Sequence, residues 1–177
     1  MNVITSVSAG MLAGAIGTAA MDLLWYRRYR RRGGRERFLR WESGGDITTW
    51  DAASAPGQVG RKLEEFVTGN TPPDAWARPT TNAVHWATGA GWGLNYAVAR
   101  TLLTRSGPLS VALGPTAWLT SYAVLPLIKV YKPIWKYDAR TLADDLTAHL
   151  VYGLTTAAAF AILTRGVHRD SITRRTT

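Results

Sequence analysis

The sequence predicts an all-α fold: a four-helix transmembrane bundle with a cytoplasmic loop carrying a short amphipathic helix. Three observations predict it. Apolar stretches at about 3–26, 82–103, 109–131 and 142–163 each approach the ~20 helical residues that cross a bilayer. Strongly charged loops separate them, so a mean hydropathy of -0.07 hides a segregated pattern. Lysine and arginine then gather on alternate loops, eleven in residues 27–80 and four in 129–140, against six elsewhere. The positive-inside rule reads this as four spans of the cell's inner (plasma) membrane with both termini outside.

Length and charge set the outer bounds. A chain of 177 residues supports one domain, here residues 1–164, followed by a flexible basic tail at 165–177. A net charge of +9 fits either a nucleic-acid binder or a membrane protein facing anionic lipid. The absence of cysteine excludes disulfides and thiolate metal sites. A soluble helical bundle is the alternative architecture. Glycine-rich helices ending in tryptophan, with few Lys/Glu pairs between them, weigh against it.

The first stretch, VITSVSAGMLAGAIGTAAMDLLWY, ends in eight arginines within fourteen residues, 27–40. Its charges follow the apolar run, and Asp22, Trp25 and Tyr26 make a poor cleavage site, so it reads as an uncleaved anchor. Gly10, Gly14 and Thr18 recur every four residues, a spacing that admits a close neighbour in lipid. Asp22 continues that stripe and is expected to face protein.

The loop at 27–80 opens with Arg27, Arg28, Arg30, Arg31 and Arg32, which suit anionic headgroups, with Tyr29, Phe38 and Trp41 expected to sink into the interface. Because this run directly follows a spanning helix, membrane lipid is the expected partner and nucleic acid is not. A turn-rich link leads to an amphipathic helix over Pro56–Thr68, with proline in the first turn and Val59, Leu63 and Phe66 on one face. Pro72, Pro73 and Pro79 mark an extended connector. Thr80 or Thr81 is the expected cap of the second span, where His85, Gly89 and Gly93 align. Arg100 can snorkel at its far end, and residues 105–108 form a turn. Pro115 and Pro126 interrupt the third span. Asp144 and Asp145 suit the positive start of the fourth, which continues through His149 and Gly153. The eight tryptophans read mostly as interface anchors, with Trp86 and Trp92 as candidates to line the bundle.

Depth brings ionisable groups together. With alternate helices running in opposite directions, Asp22, His85, Lys129, Asp145 and His149 fall near one level at the cytoplasmic end. HWATG at 85–89 and HLVYG at 149–153 repeat a His-x-x-x-Gly pattern and suggest related halves. Intramembrane ionisable groups are costly and mark function more often than chance. Asp22, His85, Asp145 and His149 are the candidate ligands of a divalent metal. His85 and His149 are alternatively the axial ligands of a haem, or members of a proton relay. The structural reading is that Asp22 pairs with Lys129 and each histidine bonds a neighbouring helix, with no cofactor at all. No catalytic residues can be assembled, and GAGWG at 89–93 lacks the preceding strand of a phosphate loop.

The glycine-rich first helix ending in Asp22 and arginines, WDAASAPGQVGRKLEE at 50–65 and NAVHW at 82–86 resemble a group of uncharacterised small integral membrane proteins of bacteria, particularly actinobacteria. More remotely the chain is similar to the YagU-like inner-membrane proteins. The resemblance implies a membrane protein and carries no catalytic residues. The expected function is a non-enzymatic accessory or scaffold subunit, associating with other membrane subunits or itself. The alternatives are a metal- or haem-binding membrane protein and a small proton-coupled transporter.

Overall fold

The computed structural model describes residues 3–103 and 107–173, with side chains over 4–103 and 107–165. The expected 105–108 turn and the tail residues Arg174 and Arg175 fall wholly or partly outside it. Six α-helices follow in order: α1 Val3–Arg31, α2 Phe38–Glu42, α3 Ala55–Thr68, α4 Ala77–Leu102, α5 Gly107–Val124 and α6 Ala139–Thr173. Single 3-10 turns lie at Trp50–Ala52, Asp74–Trp76 and Ile134–Lys136, and no strand occurs among the described residues. Two helices, over Ile4–Arg31 and Ala139–Arg165, are long and apolar enough to cross a membrane.

Several boundaries differ from the sequence expectation for local reasons. α4 starts at Ala77 and takes Pro79 into its first turn, where a missing N–H costs nothing. Thr81 therefore caps nothing; its hydroxyl donates to the Ala77 carbonyl at 2.7 Å. α5 ends at Val124 instead of running to 131, because Pro126 disfavours helix at the residue before it. A turn follows in which Lys129 holds φ 58°. α6 starts at Ala139, capped by Asp138, whose carboxylate accepts from the Thr141 amide at 2.9 Å and hydroxyl at 2.7 Å. It also continues to Thr173, through most of the stretch expected to be a flexible tail.

The chain divides into two compact units. One comprises residues 1–21, 89–118 and 143–177; the other comprises 22–88 and 119–142.

In the first unit, segments of α1, α4, α5 and α6 pack through glycines. A Cβ at Gly10 would lie 2.6 Å from Ala97 Cβ, and one at Gly14 would overlap the Gly89 carbonyl. α1 and α4 thus run antiparallel with their backbones in contact. Gly114 of α5 meets α6 at the His149 carbonyl, and a Cβ at Gly153 would come 2.8 Å from Gly114 Cα. Tyr152 donates its hydroxyl to the Gly89 carbonyl at 2.7 Å, tying α6 to α4. Ala13, Tyr96, Leu113 and Phe160 fill the core, with Tyr96 edge-on to Phe160 at 5.6 Å between centroids. Trp92 packs against this cluster.

In the second unit, the 3-10 turns and α3 make a small core of their own. Trp50 is buried, with its indole N–H donating to Pro72 O at 2.7 Å and its amide to Asp74 Oδ1 at 2.9 Å. Gln58 on α3 donates to the Trp50 carbonyl. Trp50 is thus a core residue, not an interface anchor. Tyr122, Tyr131 and Tyr137 cluster at 5.2–6.2 Å between centroids and hold the return from α5 towards α6.

Substitution at two glycines of α4 separates close packing from helix propensity. Gly93→Leu drives a side chain into Gly10 and Gly14 and is expected to cost about 3 kcal/mol or more. Gly91 has open space beyond its Cα, so Gly91→Ala should be neutral or stabilise by up to about 1 kcal/mol. Melting of the two purified variants in detergent checks both; a stable Gly93→Leu protein would contradict the packing described.

Candidate metal centre

The antiparallel contact of α1 and α4 fixes what meets at their polar end. Gly14 faces Gly93, and Thr18 faces Gly89, four residues along one helix and four back on the other. In the sequence Asp22 and His85 continue these two four-residue spacings. Their side chains meet in the second unit, with His85 Nε2 2.9 Å from Asp22 Oδ2. Asp22 is buried at 5% exposure, so the imidazole supplies the donor that its charge requires. His85 stands edge-on to Trp86. The partner of Asp22 is His85, not Lys129.

A third group arrives from the loop. Beyond the arginines the chain reverses at Gly33, which adopts φ 92°, and α2 folds back along the last turns of α1. An aromatic cluster holds it there. Tyr26 lies 5.2 Å from Phe38 and 5.4 Å from Trp41, and Tyr29 lies 5.9 Å from Trp41. Tyr26 donates its hydroxyl to Glu36 O at 2.9 Å, and the Glu36 amide donates to Tyr29 Oη at 3.2 Å. These rings pack on one another in a single cluster. At the end of α2, the Ser43 carbonyl accepts from Arg78 Nε at 2.8 Å and Asn82 Nδ2 at 3.0 Å, both on α4. Glu42 is thereby pinned between α1 and α4.

Asp22, Glu42 and His85 each present a donor atom, and the three atoms lie within 4.8 Å of one another. Glu42 Oε1 is buried with no hydrogen-bond partner among the described residues. Burial, and then the Asp22 carboxylate beside it, push the Glu42 carboxyl up to about 7 from its ordinary 4.5, while His85 acts in the opposite direction. Two carboxylates this close repel when both are charged. The arrangement is relieved by a proton on Glu42 or by a cation between the oxygens. Ligands about 2 Å from a first-row ion stand roughly 3–4 Å apart, so the three side chains need close by only about 1 Å to share one.

The other expected site residues lie elsewhere. His149 and Asp145 belong to the first unit and pair within α6: Nδ1 is 3.0 Å from the Asp145 carbonyl and 3.4 Å from Asp145 Oδ1. Each of the two candidate haem-ligating imidazoles thus has a local carbonyl or carboxylate partner. Of the arginines expected to bind lipid, Arg27, Arg30, Arg31 and Arg32 are exposed, and the Arg28 guanidinium lies over the Trp25 ring at 4.8 Å. Sequence reasoning missed Glu42. Its one signal was the aromatic spacing Tyr26, Tyr29, Phe38, Trp41, which can close into a cluster only if α2 turns back.

Comparison with family models, with characterised proteins and with solved structures finds no match to this chain.

The displaced Glu42 value has a defined sign. The folded state retains a proton between pH 4.5 and about 7 that the unfolded chain releases, so in metal-free buffer stability declines as pH rises through that window. The fall in melting temperature across it should flatten in Glu42→Gln. A wild-type profile that falls no more steeply than that of Glu42→Gln would contradict this.

Proposed function

We propose that this chain is a four-span protein of the cell's inner membrane that holds a divalent first-row metal ion at Asp22, Glu42 and His85, on the cytoplasmic side. The observation that carries the reading is the buried, unpartnered Glu42 Oε1 set beside a buried carboxylate and an imidazole. One nitrogen and two carboxylate oxygens suit zinc, iron or manganese, and their two negative charges match a divalent ion. Three protein donors leave at least one position of a four-coordinate ion for water or an external ligand. An ion there would tie α1, α2 and α4 together, which suits an accessory or scaffold role.

The spanning part of the reading is supported by register and charge. α1 and α6 have the length and apolarity to cross. Within the first unit α4 lies antiparallel along α1 through Gly89, Gly93 and Ala97, so a bilayer around α1 also surrounds that part of α4. α5, with 18 residues or about 27 Å of helix, packs on α6 through Gly114 and Gly153. Fifteen of the twenty-one lysines and arginines lie on the loops 27–80 and 129–140, which favours that side as cytoplasmic.

The test is metal content of the full chain purified in detergent, after dialysis against zinc, iron(II) or manganese in turn. About one equivalent of ion is expected, retained in His149→Ala and weakened at least about tenfold in His85→Ala and Glu42→Gln. Because the ion displaces the Glu42 proton, affinity should fall by about tenfold per pH unit below about 7. Metal-free protein, or binding indifferent to His85→Ala, overturns the proposal and leaves a structural Asp–His pair.

A further inference from the structure

We infer that α3 is an interfacial helix, lying in the headgroup boundary of the same bilayer with Leu63, Phe66 and Val67 turned into lipid. The inference rests on the membrane-spanning reading above and is independent of the metal.

α3 is well bounded. Pro56 stands in its first turn, and Gly69 closes it in the left-handed conformation at φ 71°, its amide donating to Glu65 O at 2.9 Å. One side of the helix is committed to protein. Gly57 lies against Thr81, and Gly60 lies against Thr80 and Val84, where an added Cβ would stand 3.1 Å from Val84 Cγ2. Without side chains at these two positions, α3 sits directly on the opening turns of α4.

That contact also fixes its level. Within the second unit Asp22 pairs with His85, so one turn further on each helix sets Tyr26 level with Thr81. At Tyr26 the apolar run of α1 gives way to Arg27 and the arginines that follow. α3 is therefore held at the depth where hydrocarbon meets headgroups. Trp76, 57% exposed just ahead of α4, is the residue type that collects at that boundary.

Beyond its contact with α4, the rest of α3 presents three apolar side chains at the surface of the described residues. Leu63, Phe66 and Val67 are 63%, 88% and 72% exposed. A helix with one apolar face, fixed at that depth, buries the face in the acyl–headgroup boundary and keeps its charges in water. Arg61 and Glu65 already neutralise one another at 2.9 Å, which lowers the cost of lying close to the surface.

The chain contains no cysteine, so single-cysteine variants take a nitroxide label without background. Leu63→Cys, Phe66→Cys and Val67→Cys are labelled in the full chain, reconstituted in vesicles of phosphatidylcholine and phosphatidylglycerol, and their collision rates with oxygen and with a water-soluble nickel chelate compared. Leu12→Cys, on an exposed mid-helix position of α1, reports the span itself. The expected result is oxygen access exceeding nickel access at all four positions, with Leu12 deepest. Nickel access prevailing at 63, 66 and 67 while Leu12 reads as lipid overturns the interfacial helix alone. Low access to both reagents at those three positions means that protein, such as a second copy, covers them, and this also overturns it. Nickel access at Leu12 removes the spanning reading beneath it.

Discussion

The backbone contact between α1 and α4 is the constraint on which the rest depends. Where Gly10 and Gly14 meet Gly89, Gly93 and Ala97, no side chain separates the two helices, so neither can slide without collision. That rigidity converts a four-residue sequence spacing into a fixed register. In the second unit the pairing of Asp22 with His85 sets the arginine flank of α1 beside the start of α4. In the proposed bilayer setting, helix association would gain nothing from the hydrophobic effect, and close packing with the Asp22–His85 bond would supply the preference.

The polar centre is the price of that register and also its use. A buried carboxylate at Asp22 needs a donor, which His85 provides at 2.9 Å. Adding Glu42 is a different matter, because a second acid beside the first is tolerated only with a proton or a cation. Arg78 and Asn82 clamp the backbone at Ser43, and four aromatic rings hold α2, so the Glu42 backbone is held beside Asp22. Structure spent on keeping a repulsive pair together is the physical reason to look for a ligand there. Asp145 and His149 form an imidazole–carboxylate pair on a single helix, with Asp145 Oδ2 also buried and without a hydrogen-bond partner among the described residues.

What could be read from the sequence was what depends on local spacing. The stripes through Gly10, Gly14 and Thr18 and through His85, Gly89 and Gly93 carry their helical faces openly. The amphipathic helix was legible for the same reason, from Pro56 to Thr68. Glu42 was not, because its placement follows from rings at 26, 29, 38 and 41 closing across a chain reversal. Trp50 was misjudged because a tryptophan in a polar, turn-rich stretch looks like an interface anchor. Its burial depends on Pro72 O and Asp74 Oδ1, more than twenty residues away. Two prolines act otherwise than the pattern suggests: Pro79 fits a first turn instead of an extended connector, and Pro126 stops a helix that the apolar pattern carries onward.

The separation between Asp22 and His85, 63 residues along the chain, has a consequence for biosynthesis. At about 5–20 residues per second, the ribosome reaches the histidine roughly 3–13 s after the aspartate. During that interval α1 has neither its glycine partner nor the base that its acid requires. The nascent segment must wait with Asp22 unpaired, and its bond to His85 forms only when α4 arrives.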